Sequence, residues 1–168
     1  ERGERVFLGK KITGMFTLEQ VPEDKHLVML ATGTGLAPYM SMLRTSFRCG
    51  GERKFVIIHG ARHSWDLGYR AELTAMARMC GNMEYITTIT RPEEELVPWS
   101  GEIGYAQDLW ARGLVRDALG FTPTPEDTHF FLCGNPGMVD SVQETLEAEG
   151  FVEHKTRAPG QIHTERYW

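Results

Sequence analysis

The sequence predicts an α/β domain: a doubly wound, five-stranded parallel sheet with helices on both faces. Three observations carry that prediction. Short apolar runs alternate with segments whose apolar residues recur at helical spacing, and successive strand–helix–strand units require crossovers and a parallel sheet. The strand-like runs are apolar on both alternating faces, as strands covered by helices on each side must be. The length, 168 residues, suits one domain with a substantial core.

The elements follow in order. Over residues 1–25, Gly3, Gly9 and Gly14 punctuate β-like pieces at Arg5–Leu8 and Met15–Leu18, and Val21–Lys25 forms a polar turn around Pro22. His26–Ala31 is the first strand and runs into Thr32-Gly33-Thr34-Gly35. Ala37-Pro38 opens a helix with proline in its first turn, Met40, Leu43 and Phe47 give its apolar stripe, and Gly50-Gly51 stops it. Lys54–His59 is the second strand. Ser64 is placed to cap a helix from about Trp65 to Cys80, with Leu67, Leu73, Met76 and Met79 inward and Gly81 as its terminal glycine. Glu84–Thr90 is the third strand, and Arg91–Gly104 reads as a polar loop. Tyr105–Leu119 contains helix broken near Gly113. Thr128–Cys133 is the fourth strand, and Asn135 caps a helix with Pro136 in its first turn and Val139, Val142 and Leu146 on its inner side. Phe151–Lys155 completes the predicted sheet, and the chain closes on Arg166-Tyr167-Trp168.

Composition narrows the function. Hydrophobic residues make up 41% and charged residues 24%, the balance of a globular domain rather than a disordered chain or a disulfide mini-protein. Net charge is −5, so a nucleic-acid partner is not expected. No apolar run approaches the roughly 18–20 residues of a membrane span. The cysteines, Cys49, Cys80 and Cys133, are odd in number and far apart in sequence, which suggests neither a disulfide framework nor a zinc knuckle and is consistent with a reducing, cytoplasmic setting. His59 and His63 are four apart, but on a strand exit rather than a helix, and no metal site is expected there.

Doubly wound sheets bind ligands beyond the carboxyl ends of their strands, which directs attention to three exits. In the first, Gly33 and Gly35 let the backbone approach a ligand, and the following helix start offers free N–H groups to a pyrophosphate. Pro38 stands where the usual glycine fingerprint has its last glycine. The second exit carries Arg62, with Ser64 and Arg70 near it, where a 2′-phosphate on an adenosine ribose would be met. Arg91, at the third strand's exit, is placed to join Arg62. In the last exit, Cys133-Gly134-Asn135-Pro136, the glycine again permits close approach. Asn135 serves as a cap, and Cys133 is either a small buried hydrophobe or a thiol facing a reacting ring, with nothing local to activate it as a nucleophile.

Four segments, Gly33-Thr34-Gly35-Leu36-Ala37-Pro38, Gly60-Ala61-Arg62, Cys133-Gly134-Asn135-Pro136-Gly137-Met138 and Glu165-Arg166-Tyr167-Trp168, resemble the ferredoxin–NADP+ reductases in order and spacing, and the tail is most similar to the bacterial flavodoxin/ferredoxin type. The resemblance covers that family's NADP-binding half. It implies residues 26–168 as the NAD(P)-binding domain, residues 1–25 as the end of a preceding flavin-binding barrel, and little turnover without that barrel. NADP(H), with NAD(H) as the alternative, is the implied dinucleotide, with FAD in the complete protein and ferredoxin or flavodoxin as electron partner. Thr32, Gly33, Thr34, Gly35, Pro38, Gly134, Asn135 and Met138 would then line the dinucleotide channel. Arg62, Ser64, Arg91 and Tyr105 would meet the 2′-phosphate, with Glu102 opposing it. Cys133 would lie beside the nicotinamide, Glu165 would handle hydride and proton, Tyr167 would stack on the flavin, and Trp168 would lie near the flavin's adenosine. The rival readings are an NADH-preferring flavin reductase domain of an oxygenase chain and a non-catalytic flavodoxin-like module. The latter lacks the clustered strand-end aspartates that a receiver needs.

Overall fold

The computed structural model describes residues 3–5, 7, 9–10 and 14–167. The β-like piece predicted at Arg5–Leu8 lies in part outside the described residues, and Trp168 lies wholly outside them. Among the described residues, six strands form one parallel sheet: β1 (His26–Thr32), β2 (Phe55–Ala61), β3 (Met83–Ile89), β4 (Glu102–Ile103), β5 (Thr128–Gly134) and β6 (Ile162–Arg166). Their spatial order is β4-β3-β2-β1-β5-β6, and every neighbouring pair runs parallel. The chain winds outward from β1 to β4, then returns to the other side of β1 as β5. The order therefore reverses between β1 and β5, where a crevice is expected.

Alternation within the central strands sorts the core into two layers. Val28 and Leu30 of β1 join Phe130 and Leu132 of β5 on one face, under α3 (Asp108–Ala111), α4 (Leu114–Leu119) and α5 (Pro136–Ala148). Leu27, Met29 and Ala31 join Phe131 and Cys133 on the other, under α1 (Ala37–Ser46) and α2 (Arg70–Met79). The fully buried Tyr39 of α1 places its hydroxyl 2.8 Å from the carbonyls of both Leu30 and Phe131, tying that helix across the two strands that flank the crevice.

The structure corrects several expectations. The sheet has six strands, not five. Phe151–Lys155 is no strand: the edge beside β5 is taken by Ile162–Arg166, and residues 152–154 instead fold back on that strand through bonds such as His154 N–H to Ile162 O, 2.7 Å. Phe151 is a core plug edge-on to Phe130. The predicted loop after Arg91 contains β4, too short for any hydrophobic period to reveal. Met15–Leu18 is turn rather than strand, with Phe16 set edge-on against Phe131. Helix α2 starts at Arg70 rather than Trp65, because Ser64 is engaged elsewhere and Tyr69 takes a left-handed backbone, φ 58°. Met79, expected inward, is 81% exposed, and Gly81 is not a left-handed cap. Cys49 and Cys80 form a disulfide, since the turn after α1 and the end of α2 meet at the same end of the sheet. Cys133 is free and buried.

Candidate functional site

The crevice opens into a cavity of about 1050 Å³ at the carboxyl ends of β1, β2, β3 and β5. Of the residues predicted to bind a cofactor, Thr32, Gly33, Thr34, Arg62, Arg91, Tyr105, Asn135 and Met138 line it. Two backbone bonds bring the arginines together: Thr90 N–H to Ala61 O, 3.1 Å, and Arg91 N–H to Arg62 O, 3.0 Å, extend the β2–β3 pairing past the strand ends. The exposed Arg62 guanidinium has no hydrogen-bond or ion-pair partner among the described residues. It therefore stands ready for an anion.

The first and last exits are locked to each other. A Cβ on Gly35 would stand 2.3 Å from the Cys133 carbonyl oxygen, and one on Gly134 would stand 2.3 Å from Thr32 Oγ1. Gly134 also has φ 132°, a conformation that favours glycine. Thr32 Oγ1 accepts from Asn135 N–H at 2.8 Å, and Asn135 Oδ1 accepts from Gly137 and Met138 N–H, making the expected cap of α5. Gly35 and Gly134 thus let the two exits touch, and neither lines the cavity. Pro38, in the first turn of α1, faces a different cavity of about 1110 Å³ along that helix, which gathers none of the strand exits.

Beneath the glycine turn lies His59, fully buried. Burial pulls its pKa down to about 4, outweighing the bond to Gly33 that raises it. The ring is therefore neutral. Nε2 faces the Gly33 carbonyl at 3.3 Å, so it carries the proton, and Nδ1 accepts from the Tyr85 hydroxyl at 3.1 Å. His59 is a strut for the turn.

Among the other candidates, Ser64, Arg91 and Arg70 have partners. Ser64 donates through both its N–H and its hydroxyl to the two carboxylate oxygens of Glu95, 2.6 Å each. Arg91 pairs with Glu94 at 3.3 Å, and Glu94 also takes His63 Nε2 at 2.7 Å. Arg70 lies over the Trp99 ring, 4.7 Å from its centroid, away from Arg62. Glu102, expected to oppose a phosphate, is paired with Arg112 and does not line the cavity.

The three catalytic candidates converge at the β5–β6 edge. Cys133 and Glu165 are register partners, and Tyr167 N–H reaches Gly134 O at 3.0 Å. Burial, and after it the Glu165 carboxylate, pushes the Cys133 thiol up to about 12, against a lowering hydrogen bond from Tyr167. The thiol is neutral and no nucleophile. Tyr167, partly buried, packs against the core layer that holds Phe131 and Cys133.

The sequence reading missed Tyr69 and Gln107, both on the cavity wall. Tyr69 is half-exposed, with the Arg44 guanidinium 5.3 Å from its ring centroid. Only its backbone strain marks it, and a sequence does not display φ.

Comparison with known proteins agrees with this geometry. Residues 29–144 match the family model described as oxidoreductase NAD-binding domain. The chain is 35% identical over 166 residues to the flavodoxin/ferredoxin–NADP reductase of Buchnera aphidicola subsp. Baizongia pistaciae, covering 98% of this chain and 66% of the relative. Against the Escherichia coli (strain K12) protein of the same name it is 31% identical over 167 residues, covering 99% and 66%. A crystal structure of a ferredoxin NADP+ reductase from Neisseria gonorrhoeae with bound FAD and NADP superposes with a TM-score of 0.76 at 31% identity, covering 93% of this chain and 61% of that one. The chain thus spans just under two thirds of the length of these relatives. The family match over residues 29–144 places the chain in the oxidoreductase NAD-binding domain family, and over its length it is similar to ferredoxin/flavodoxin–NADP+ reductases.

Proposed function

We propose that the chain is the NADP(H)-binding domain of a flavin-dependent ferredoxin/flavodoxin–NADP+ reductase, supporting hydride transfer between NADPH and FAD and one-electron exchange with ferredoxin or flavodoxin. Residues 26–168 carry the dinucleotide, and residues 1–25 join it to the flavin-holding part. The observation that carries this reading is the unpartnered Arg62 guanidinium, held beside Arg91 on the wall of the strand-exit cavity.

In this reading Arg62, with Ser64, Arg91 and Tyr105, meets the 2′-phosphate. Thr34 and the N–H groups of the glycine turn meet the pyrophosphate, on a turn kept in place by His59. The flavin, when bound, supplies two-electron acceptance and single-electron release. This chain's part is positional. Cys133 Sγ keeps its proton and offers a small, dry surface to the nicotinamide. Because Cys133 is fully buried next to Tyr167, a nicotinamide reaches it only when Tyr167 moves. Glu165, its register partner, is the carboxylate available for proton handling at that edge. Trp168 is assigned to the flavin's adenosine side. Holding reactants in one geometry, with water displaced, is the principal catalytic effect available to such a site.

A second reading, an NADH-preferring flavin reductase domain, is favoured by one observation: carboxylates already engage Ser64 and Arg91. Titration of the chain with NADP+ and NAD+ separates the two. Removing a charge-assisted bond costs roughly 1.5–3 kcal/mol, or about 10- to 150-fold in affinity. Arg62→Ala should therefore weaken NADP+ on that scale and leave NAD+ nearly unchanged. Equal losses for both would refute the 2′-phosphate assignment.

A further inference from the structure

We propose that Glu95, backed by Glu94, is a specificity-determining residue: its carboxylate occupies the Ser64 donors that a 2′-phosphate would take, and a dinucleotide must displace it to seat that phosphate. The proposal rests on the reading of Arg62, Ser64 and Arg91 as the 2′-phosphate subsite.

The geometry is that of a built-in anion. Both oxygens of Glu95 are held by a single residue, one by Ser64 N–H and the other by its hydroxyl, 2.6 Å each. A tetrahedral phosphate oxygen pair presents acceptors of the same kind to the same two donors. Glu94 does the equivalent for Arg91, at 3.3 Å, and bridges to His63 at 2.7 Å, with Asp66 3.3 Å from the other ring nitrogen. Two of the four proposed phosphate contacts, Ser64 and Arg91, are therefore taken up by the chain's own carboxylates, while Arg62 and Tyr105 are left open among the described residues. Ser64 holds the Glu95 carboxyl below the usual range and His63 does the same for Glu94, so both stay ionised near neutral pH.

The acids sit on a segment suited to leaving. Glu94 ends one turn of 3-10 helix, Pro92–Glu94, and Glu95 follows it, just after the β3 exit. The next residues, Leu96 and Val97, are 93% and 73% exposed, so displacement of the segment uncovers little core. The other acid near the exits, Glu102, is drawn away by Arg112 and takes no part. The arrangement penalises only ligands that bear a 2′-phosphate. A dinucleotide with a free 2′-hydroxyl leaves Ser64 and Glu95 bonded to each other.

The test is calorimetric titration of the chain with 2′-phospho-AMP and with AMP, at one ionic strength, for the parent, Glu95→Gln, Glu94→Gln and Arg62→Ala. Glu95→Gln is nearly isosteric, and Glu94→Gln supplies a second variant should it fail to fold. Either change should raise affinity for 2′-phospho-AMP by about tenfold or more, the scale of one charge-assisted contact, and leave AMP unchanged. Unchanged or weaker 2′-phospho-AMP binding in both, while Arg62→Ala still weakens 2′-phospho-AMP selectively, overturns the competition but keeps the subsite. Weaker AMP binding in Glu95→Gln overturns it by making Glu95 a ribose ligand. Equal loss of both ligands in Arg62→Ala removes the subsite itself, and the proposal with it.

Discussion

Gly35→Ala tests whether the first and last strand exits are locked as tightly as the structure shows. The added methyl would stand 2.3 Å from the Cys133 carbonyl oxygen, 2.6 Å from its carbonyl carbon and 3.0 Å from the Gly134 Cα, where ordinary contact begins at 3.4 Å. All three are backbone atoms of β5, so no side chain can rotate away. Relief requires the β1 exit and β5 to part by about 1 Å. That would strain the Ala31–Cys133 register and the Thr32–Asn135 bond of 2.8 Å. Overpacking of this kind costs typically 1–3 kcal/mol and occasionally more; with only backbone to yield, about 3 kcal/mol is expected. For a domain of this size that is a Tm loss of roughly 6–12 °C. The control is Gly81→Ala, where a methyl meets nothing within 4 Å and φ is not left-handed; it should stay within about 0.5 kcal/mol of the parent. Calorimetric melting reads both, and NADP+ titration reads the turn, which should lose affinity as it is pushed out. A Gly35→Ala protein melting within about 2 °C of the parent would show that the two exits are not in contact, since the expected shift is several times larger.

Reduction of the Cys49–Cys80 bond, which closes a separation of 31 residues, should cost up to about 3–4 kcal/mol on the chain-entropy account. Melting with and without reductant checks this, and coincident curves would deny the bond any stabilising role. Acidification should destabilise the fold well before the carboxylates titrate. Burial lowers His59 and His129 to about 4 and His163 to about 3, so below the ordinary histidine range the unfolded chain binds protons that the folded chain refuses. Stability is full above roughly pH 6.5 and falls with decreasing pH by up to about 1.4 kcal/mol per unit for each histidine, less for the coupled His129–His163 pair. A Tm flat between pH 6.5 and 4.5 would contradict those neutral, buried rings. Tyr167→Ser should strengthen NADP+ binding to the chain by opening the way to Cys133; weaker binding would make Tyr167 a direct ligand.

Much of the fold was legible because its signals are local. The apolar runs Leu27–Ala31, Val56–Ile58 and Phe130–Cys133 are covered on both faces and needed no partner to be recognised as central strands. Gly113, with φ 81°, breaks α3 from α4 where it was expected to, and Asn135 caps α5 as its residue type foretold. The strand exits that line the cavity were located by a general rule of doubly wound sheets rather than by any feature of a ligand. The edges were less legible. Ile162–Arg166 alternates weakly and is a strand only because β5 offers it an unpaired side, and β4 is two residues held by β3.

The candidate site divides along the same line. Residue types and their order along the chain determined which exits carry glycine, arginine and cysteine, and hence the kind of ligand to expect. Tertiary structure alone decided that Gly35 and Gly134 let the first and last exits touch, that Arg62 is open while Ser64 is held by Glu95, and that Cys49 meets Cys80. The physical reason is range. Strand burial and helix caps are set by neighbours a few residues away, whereas the Ser64–Glu95 bond, the disulfide and the steric lock between exits depend on groups about 30 to 100 residues apart, whose meeting is settled only when the sheet is assembled.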